Sequence, residues 1–368
     1  MTEIDDPRDT QWFLDRMPSK EVLDSALRGD PVKRLLNIVT DRAIVNIGLD
    51  PVARPEADKA EVDAALNLAA SAARRLTEGG ANVTLTSEEK VALELFILLV
   101  ARPAIFVQNG TVAERPENWK EIGRDADLLP RIIAGVGRIE SAAGAKKGTG
   151  FLVAGKRILT NNHVLCALFD MDLSTWSSWP QKFAQLCKDH SKVWEEDETL
   201  APLFELRGEL GSTASSHTRI RKILGHHSAV DVAVLELEAD PAGSRKLPLL
   251  GTEPESLNGR RVYAVGFPIQ DSGVTPVHVF QRVFGSDPAS LGTKRFSPGT
   301  ITQWNGANSF GHDASTLPGS SGSAIVDFEH RRVLGIHFSG TYKTRNFAVP
   351  LWKFREDPLF AGNGIVFG

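Results

Sequence analysis

The sequence predicts a helical bundle over residues 1 to about 125, then an all-β unit, barrel or sandwich, from about residue 131. Three observations carry this reading. Apolar residues recur at helical spacing through the first third of the chain. After GRDADLLP, short β-branched runs alternate with Gly, Pro, Asn and Asp, as in barrels and sandwiches. The most apolar segment, VALELFILLVA (91–101), is too short for a membrane span and holds Glu94, so it reads as a buried helix.

The helical part resolves into about four segments. PSKEVLDSALRG offers Ser19 as an N-cap and Gly29 as a stop. DPVKRLLNIVTDRAIVNIG follows, with Asp30 as cap and Pro31 at the first helical position. EADKAEVDAALNLAASAARRLTEGG carries Val62, Leu66, Ala69, Ala73 and Leu76 on one face and ends in a glycine pair. TSEEKVALELFILLVARP opens with Thr86 and Glu89 in capping-box register and closes before Pro103. No His, Cys or carboxylate constellation lies in these helices, so they are expected to act as an adaptor or regulatory domain that docks a protein partner.

The strand part begins with RIIAGVGRIE, read as its first strand. TGFLVAG and RILTNNHVL form a hairpin turning at Gly155–Lys156. VDVAVLELE and RRVYAVGFP are strand-like, SGSAIVD and RRVLGIHFSG form a hairpin around DFEH, and NFAVPL closes the series. Residues 166–200 break this spacing and read as a partly helical insertion.

Composition narrows the function classes. The chain has 368 residues, 42% hydrophobic and 24% charged, enough for a sizeable core. A net charge of −4 without a Lys/Arg run gives no support for nucleic-acid binding. The start, MTEIDDPRDTQWFL, lacks the basic and apolar regions of a signal peptide. With only Cys166 and Cys187 present, a secreted disulfide framework is not expected. The expectation is a cytoplasmic protein with neither a membrane nor a nucleic-acid partner.

STLPGSSGSAIV (315–326) sets Ser321 between glycines at the mouth of a strand. As a lone loop it is an ordinary turn. Acyl transfer by serine needs a hydroxyl, a base to take its proton, an acid that orients the base, and donors for the oxyanion. His163 ends the hairpin GTGFLVAGKRILTNNHVL, Asp231 opens VDVAVLELE, and Ser321 sits in the glycine-flanked bend. Each is weak alone; their joint occurrence at strand edges, in this order, points to a catalytic triad. No cofactor is expected for such chemistry.

These three stretches resemble the histidine, aspartate and serine motifs of the trypsin-like serine peptidases, the chymotrypsin superfamily, in its bacterial branch. The resemblance spans residues 131–352, roughly two-thirds of the chain. It implies two six-stranded β-barrels, one over about 131–240 and one over about 250–352, in a peptidase domain of 131–368. It further implies that His163 is general base and acid, that Asp231 holds its tautomer, that Ser321 forms the acyl-enzyme, and that the amides of Gly319 and Ser321 form the oxyanion hole. PRIIAGVGRIE invites a cleavage after Arg131, but the position where relatives carry the aspartate that binds a new N-terminus is Ser320. A buried ammonium would then lack its partner, so cleavage activation is not expected.

The stretches VLGIHFSG and STLPGSSGS resemble those of glutamyl endopeptidases, which implies that His337 and Thr316 bind an acidic substrate side chain. Leu317, matched to the base of the pocket, is no aspartate, which argues against Lys or Arg preference. GHHSAVD lacks a third ligand at metal-site spacing, so no metal is expected and His226 and His227 read as solvated loop residues. With Ser321 in place, Cys166 is not needed as a nucleophile. The expected substrate is a protein. The rival reading, a silent barrel scaffold that binds peptides, is disfavoured because no triad member is missing.

Overall fold

The computed structural model describes residues 10–17, 23, 56–116, 118–213, 215–269, 291–341 and 345–368. The N-terminal part is helical: α1 (Thr10–Leu14), α2 (Glu56–Gly79) and α3 (Ser87–Phe96), which runs on into a π-helical stretch, Ile97–Ala101. The expected capping box forms. The Glu89 amide donates to Thr86 Oγ1 at 3.2 Å and the Thr86 amide to Glu89 Oε2 at 2.9 Å, stabilising the helix by about 1 kcal/mol. Ala69, Ala73 and Leu76 of α2 pack with Phe13, Leu93 and Phe96 in one buried cluster. The helices expected over 18–29 and 30–48 lie outside the described residues, Leu23 apart.

Two elements depart from the expected helical span. β1 (Ile105–Gln108) and β2 (Thr111–Val112) form a hairpin within it. The reason is local: Asn109 and Gly110 both take positive φ, 52° and 72°, as a two-residue hairpin turn requires. Two short helices follow, α4 (Lys120–Arg124) and α5 (Leu129–Ile133). The first three residues of the stretch read as an opening strand, 131–133, therefore belong to α5. Pro130 suits its first turn, and Leu129, Ile132 and Ile133 are buried.

The first barrel comprises β3 (Val136–Glu140), β4 (Lys146–Ala154), β5 (Arg157–Thr160), β6 (Leu203–Glu205), β7 (His217–His226) and β8 (Ala233–Leu237). They close in the order β3-β4-β5-β8-β7-β6. The second comprises β9 (Arg261–Gly266), β10 (Arg295–Gln303), β11 (Phe310–His312), β12 (Ala324–Asp327), β13 (Val333–Thr341) and β14 (Arg345–Pro350). Its order is β11-β14-β13-β12-β9-β10, closed by pairing of β10 with β11. β1 takes the other end of that edge of β10, with Ile105 opposite Phe296. The pairings among these described strands are antiparallel, so the expected pair of six-stranded barrels is the fold.

The barrels meet through apolar strand faces. Val136, Phe151, Leu159 and Val232 of the first and Tyr263, Val265, Phe267, Val326 and Ile336 of the second share one buried cluster. Each such side chain stabilises by about 1.5–3 kcal/mol on leaving water. The insertion is helical: α6 (Asn162–Leu168), α7 (Thr175–Ser178) and α8 (Pro180–Glu196). α8 buries Phe183, Cys187, Ser191 and Trp194 along one face, and Ser191 Oγ accepts the Ile223 amide of β7 at 2.9 Å.

Candidate active site

His163 stands in the first turn of α6, immediately after β5. Its position is set by two fully buried asparagines. Asn161 Nδ2 donates to the Asp231 carbonyl at 2.6 Å, and Asn162 Nδ2 to the carbonyls of His227 and Val230 at 3.1 and 3.2 Å. The loop carrying Asp231 is thereby fastened to the turn carrying His163. Asp231 Oδ1 accepts the His163 amide at 3.1 Å, and Oδ2 lies 2.5 Å from His163 Nδ1. Facing a carboxylate, Nδ1 carries the proton, so Nε2 is the basic nitrogen.

The serine loop docks on β4. The Thr149 amide donates to the Ser321 carbonyl at 2.8 Å. Thr149 Oγ1 donates to the Gly319 carbonyl at 2.8 Å and accepts the Phe267 amide at 3.1 Å. One residue earlier, a Cβ on Gly148 would fall 2.8 Å from Val164 Cγ2 and 3.3 Å from the Ser321 carbonyl. The residue after His163 and the backbone of Ser321 therefore converge on one point of β4.

Inside the loop, Gly319 and Gly322 have φ of +93° and +91°, where a side chain is strained. The amides of Leu317, Ser320, Gly322 and Ser323 are spent on Ser320 Oγ, the Leu317 carbonyl, the His337 carbonyl and the Ser320 carbonyl. Those of Gly319 and Ser321 are not among them. Two backbone donors flanking a serine are what a developing oxyanion requires.

His337 lies on β13 beside this loop, its amide bonded to the Ser323 carbonyl at 2.9 Å. The residue is 3% exposed, and Nδ1 is 3.1 Å from Nε2 of His312, also buried. Burial pushes the His337 pKa well below its ordinary value, with His312 and His163 adding to the effect. Burial alone pushes His312 down to about 3. The Thr316 hydroxyl stands 4.0 Å from where a Cβ on Gly340, further along β13, would lie.

Residues 148–336, just over half of the chain, match the family described as the trypsin-like peptidase domain. The chain belongs to that family. It is 26% identical over 305 residues to a Lysobacter enzymogenes protein named "Probable serine protease", covering 73% of this chain and 74% of the relative. Among solved structures, a serine endoprotease from Yersinia pestis aligns at 19% identity over 68% of this chain and 69% of its own, with a TM-score of 0.41. An inactive form of Rv3671c from M. tuberculosis H37Rv aligns at 16% identity over 64% of this chain and 91% of its own, with a TM-score of 0.38.

For a trypsin-like peptidase, several details depart from what the sequence leads one to expect. His226 is half-buried at the end of β7, and His227 is not a solvated residue. His227 is buried, its Nδ1 accepting the amides of Ala229 and Val230 at 3.0 and 3.1 Å. His226 packs edge-on against Phe183, and burial lowers its pKa. A histidine whose ring accepts two amides shapes the turn before Asp231. Leu317 packs against the helical core and is only partly buried, so its side chain is anchored outside the barrels. Ser320 is buried, its carbonyl accepting Ser323 Oγ at 2.5 Å.

Thr149, Asn161, Asn162 and His312 escape a reading of the sequence. Only the asparagines left a trace, as two polar residues in an otherwise apolar strand end. Cys166 and Cys187 are free buried thiols, pushed up to about 11 and about 12 by desolvation, which makes both poor nucleophiles. Among the described residues no group of three His, Cys, Asp or Glu is arranged to hold a metal ion, and no helix is long and apolar enough to cross a membrane.

Proposed function

We propose that this chain is a serine endopeptidase with a His163–Asp231–Ser321 triad and a preference for acidic residues on the acyl side of the cut. His163 Nε2 takes the hydroxyl proton as Ser321 Oγ bonds to the substrate carbonyl carbon. The amides of Gly319 and Ser321 hold the resulting oxyanion. The imidazolium, steadied by Asp231, gives its proton to the leaving amine as the C–N bond breaks. Water then enters by the same route and releases the acid.

The observation that carries the reading is the 2.5 Å contact of His163 Nδ1 with Asp231, made while the serine loop is bonded to the adjoining β4. The acidic preference is supported by the two stretches that carry Thr316 and His337, STLPGSSGS and VLGIHFSG: a ring nitrogen and a hydroxyl complement a carboxylate. The N-terminal helices regulate the site or bring substrate to it, a reading supported by the packing of Leu317 on their core. Two unbridged thiols, Cys166 and Cys187, support a reducing, cytoplasmic setting.

A fluorophosphonate probe tests this directly. It should label wild-type Ser321 and fail on Ser321→Ala and His163→Ala. A folded wild-type chain that stays unlabelled would favour the silent scaffold. Proteome-derived peptides cleaved by wild type but not Ser321→Ala should be enriched in Glu or Asp before the cut, and that enrichment should vanish in His337→Ala.

A further inference from the structure

The serine loop takes a backbone conformation that side chains rarely adopt, with φ of +93° at Gly319 and +91° at Gly322. Here the residue before Ser321 is a serine, so no carboxylate at that position anchors the loop. The loop is held from the N-terminal side of the chain instead. Arg102, at the end of the π-helical stretch, reaches Asp313, with side chains only 12% and 4% exposed. Its Nε is 2.8 Å from Asp313 Oδ1, although the N–H points off that oxygen. Its Nη2 donates to Thr300 Oγ1 at 2.8 Å, and Asp313 Oδ1 accepts the Thr300 amide at 2.6 Å. The carbonyl of Arg102 accepts Ser315 Oγ at 2.5 Å.

A third hold lies two residues on. The Leu317 side chain packs against the cluster built from α1, α2 and α3. The Leu317 backbone is tied to Ser320 in both directions: its carbonyl accepts the Ser320 amide at 2.9 Å and its amide donates to Ser320 Oγ at 3.3 Å. A chain of contacts thus runs from the helical core through Leu317 and Ser320 to Ser321. Alternate residues 313, 315 and 317 are gripped, and the intervening Thr316 and following Gly319 are the ones with work to do. A nearly dry ion pair is a strong positional constraint, because removing one partner strands the other charge away from water.

We propose that Arg102 is a positioning residue, through which the N-terminal helical segment sets the serine loop and so the competence of the site. This rests on the reading of Ser321 as the nucleophile. Arg102 touches no reacting atom; it acts by holding Asp313 and Ser315, and through them Thr316 and the amide of Gly319.

The test uses the full chain. Arg102→Met and Asp313→Asn are compared with wild type in fluorophosphonate labelling rate, in kcat and KM on a peptide that wild type cleaves, and in thermal melting. Both variants should lose about tenfold or more in labelling rate and in kcat, with KM moving less, since oxyanion donors act in the transition state. Arg102→Lys, which keeps the charge but not the fork, should fall between Arg102→Met and wild type.

The proposal is overturned if both variants keep wild-type kcat and labelling rate, or lose only melting temperature while each folded molecule labels normally. Should Arg102→Met fail to fold, Asp313→Asn, which keeps an acceptor for the Thr300 amide, decides by the same criteria. An unlabelled wild type refutes the nucleophile itself, and this inference with it; a labelled wild type with unimpaired variants refutes only the role of Arg102.

Discussion

The Thr149 amide and the Ser321 carbonyl share a 2.8 Å hydrogen bond, so a strand of the first barrel holds the backbone of the serine loop of the second. The Thr149 hydroxyl adds two more ties, to the Gly319 carbonyl and the Phe267 amide. Thr149 is fully buried, and valine has its shape without its hydroxyl. Thr149→Val should leave the buried Phe267 amide unpaired, at about 1–3 kcal/mol, release the Gly319 carbonyl, and slow fluorophosphonate labelling of Ser321. Thr149→Ser restores the hydroxyl and should recover most of both. Denaturant unfolding and labelling rates check this; a Val variant equal to wild type in both removes Thr149 from the account.

The reach of the sequence can be read from the same residues. His163, Asp231 and Ser321 were legible because each lies where a strand with a clear apolar pattern ends, and the pattern survives in β5, β8 and β12. Thr149 was not, since GTGFLV looks like any strand opening and its bonds go to residues more than a hundred positions away. His312 was hidden for a related reason. It sits in a three-residue strand, and its partner lies across β14 on β13. The β1–β2 hairpin lies inside a span with helical periodicity, although Asn109–Gly110 is a strong local turn signal. The helical periodicity on its N-terminal side outweighed a strand of four residues.

On the proposed mechanism, replacing Gly319 separates binding from chemistry. At φ +93°, a Cβ would fall 2.5 Å from Ile269 Cγ1 and 2.6 Å from the Phe267 carbonyl. The backbone of Phe267 cannot yield as a flexible side chain does, so the 319 amide would turn away. Gly319→Ala should lower kcat by about 10²–10³, the cost of losing one oxyanion donor, with KM less affected. Steady-state kinetics on one cleaved peptide measure the split, and an unchanged kcat would remove this amide from the oxyanion hole.

On the proposed mechanism Asp231 has two separable tasks, and the conservative amide tests one of them. The carboxylate receives the His163 amide and Nδ1 together. Asp231→Asn keeps the volume and one acceptor oxygen but lets an NH₂ group face Nδ1, which favours the proton on Nε2. The base would then be blocked. Activity near neutral pH should drop by roughly four orders of magnitude, as loss of the orienting carboxylate does in such triads. The fold should persist, because the Asp231 main-chain carbonyl remains bonded to Asn161. A variant with activity within about tenfold of wild type would mean that the carboxylate does not fix the tautomer.

The buried histidine pair should make stability depend on pH in a defined window. Burial pushes His312 down to about 3 and His337 well below its ordinary value, so both are neutral in the fold. In the unfolded chain each titrates near about 6.5. Below that pH the unfolded chain takes up protons that the fold excludes. Stability is therefore complete above about pH 6.5 and declines as pH falls toward about 3, by up to about 1.4 kcal/mol per pH unit for each histidine. His312→Phe fills the site without a titrating ring and removes one of these protons. Between pH 6.5 and 5 the wild type should lose about 1.6 kcal/mol more than the variant. The depressed His190 and His226 contribute equally to both proteins and cancel in the difference. Urea unfolding at several pH values measures it, and parallel stability curves for the two proteins would show that His312 accepts its proton in the fold as readily as in the open chain.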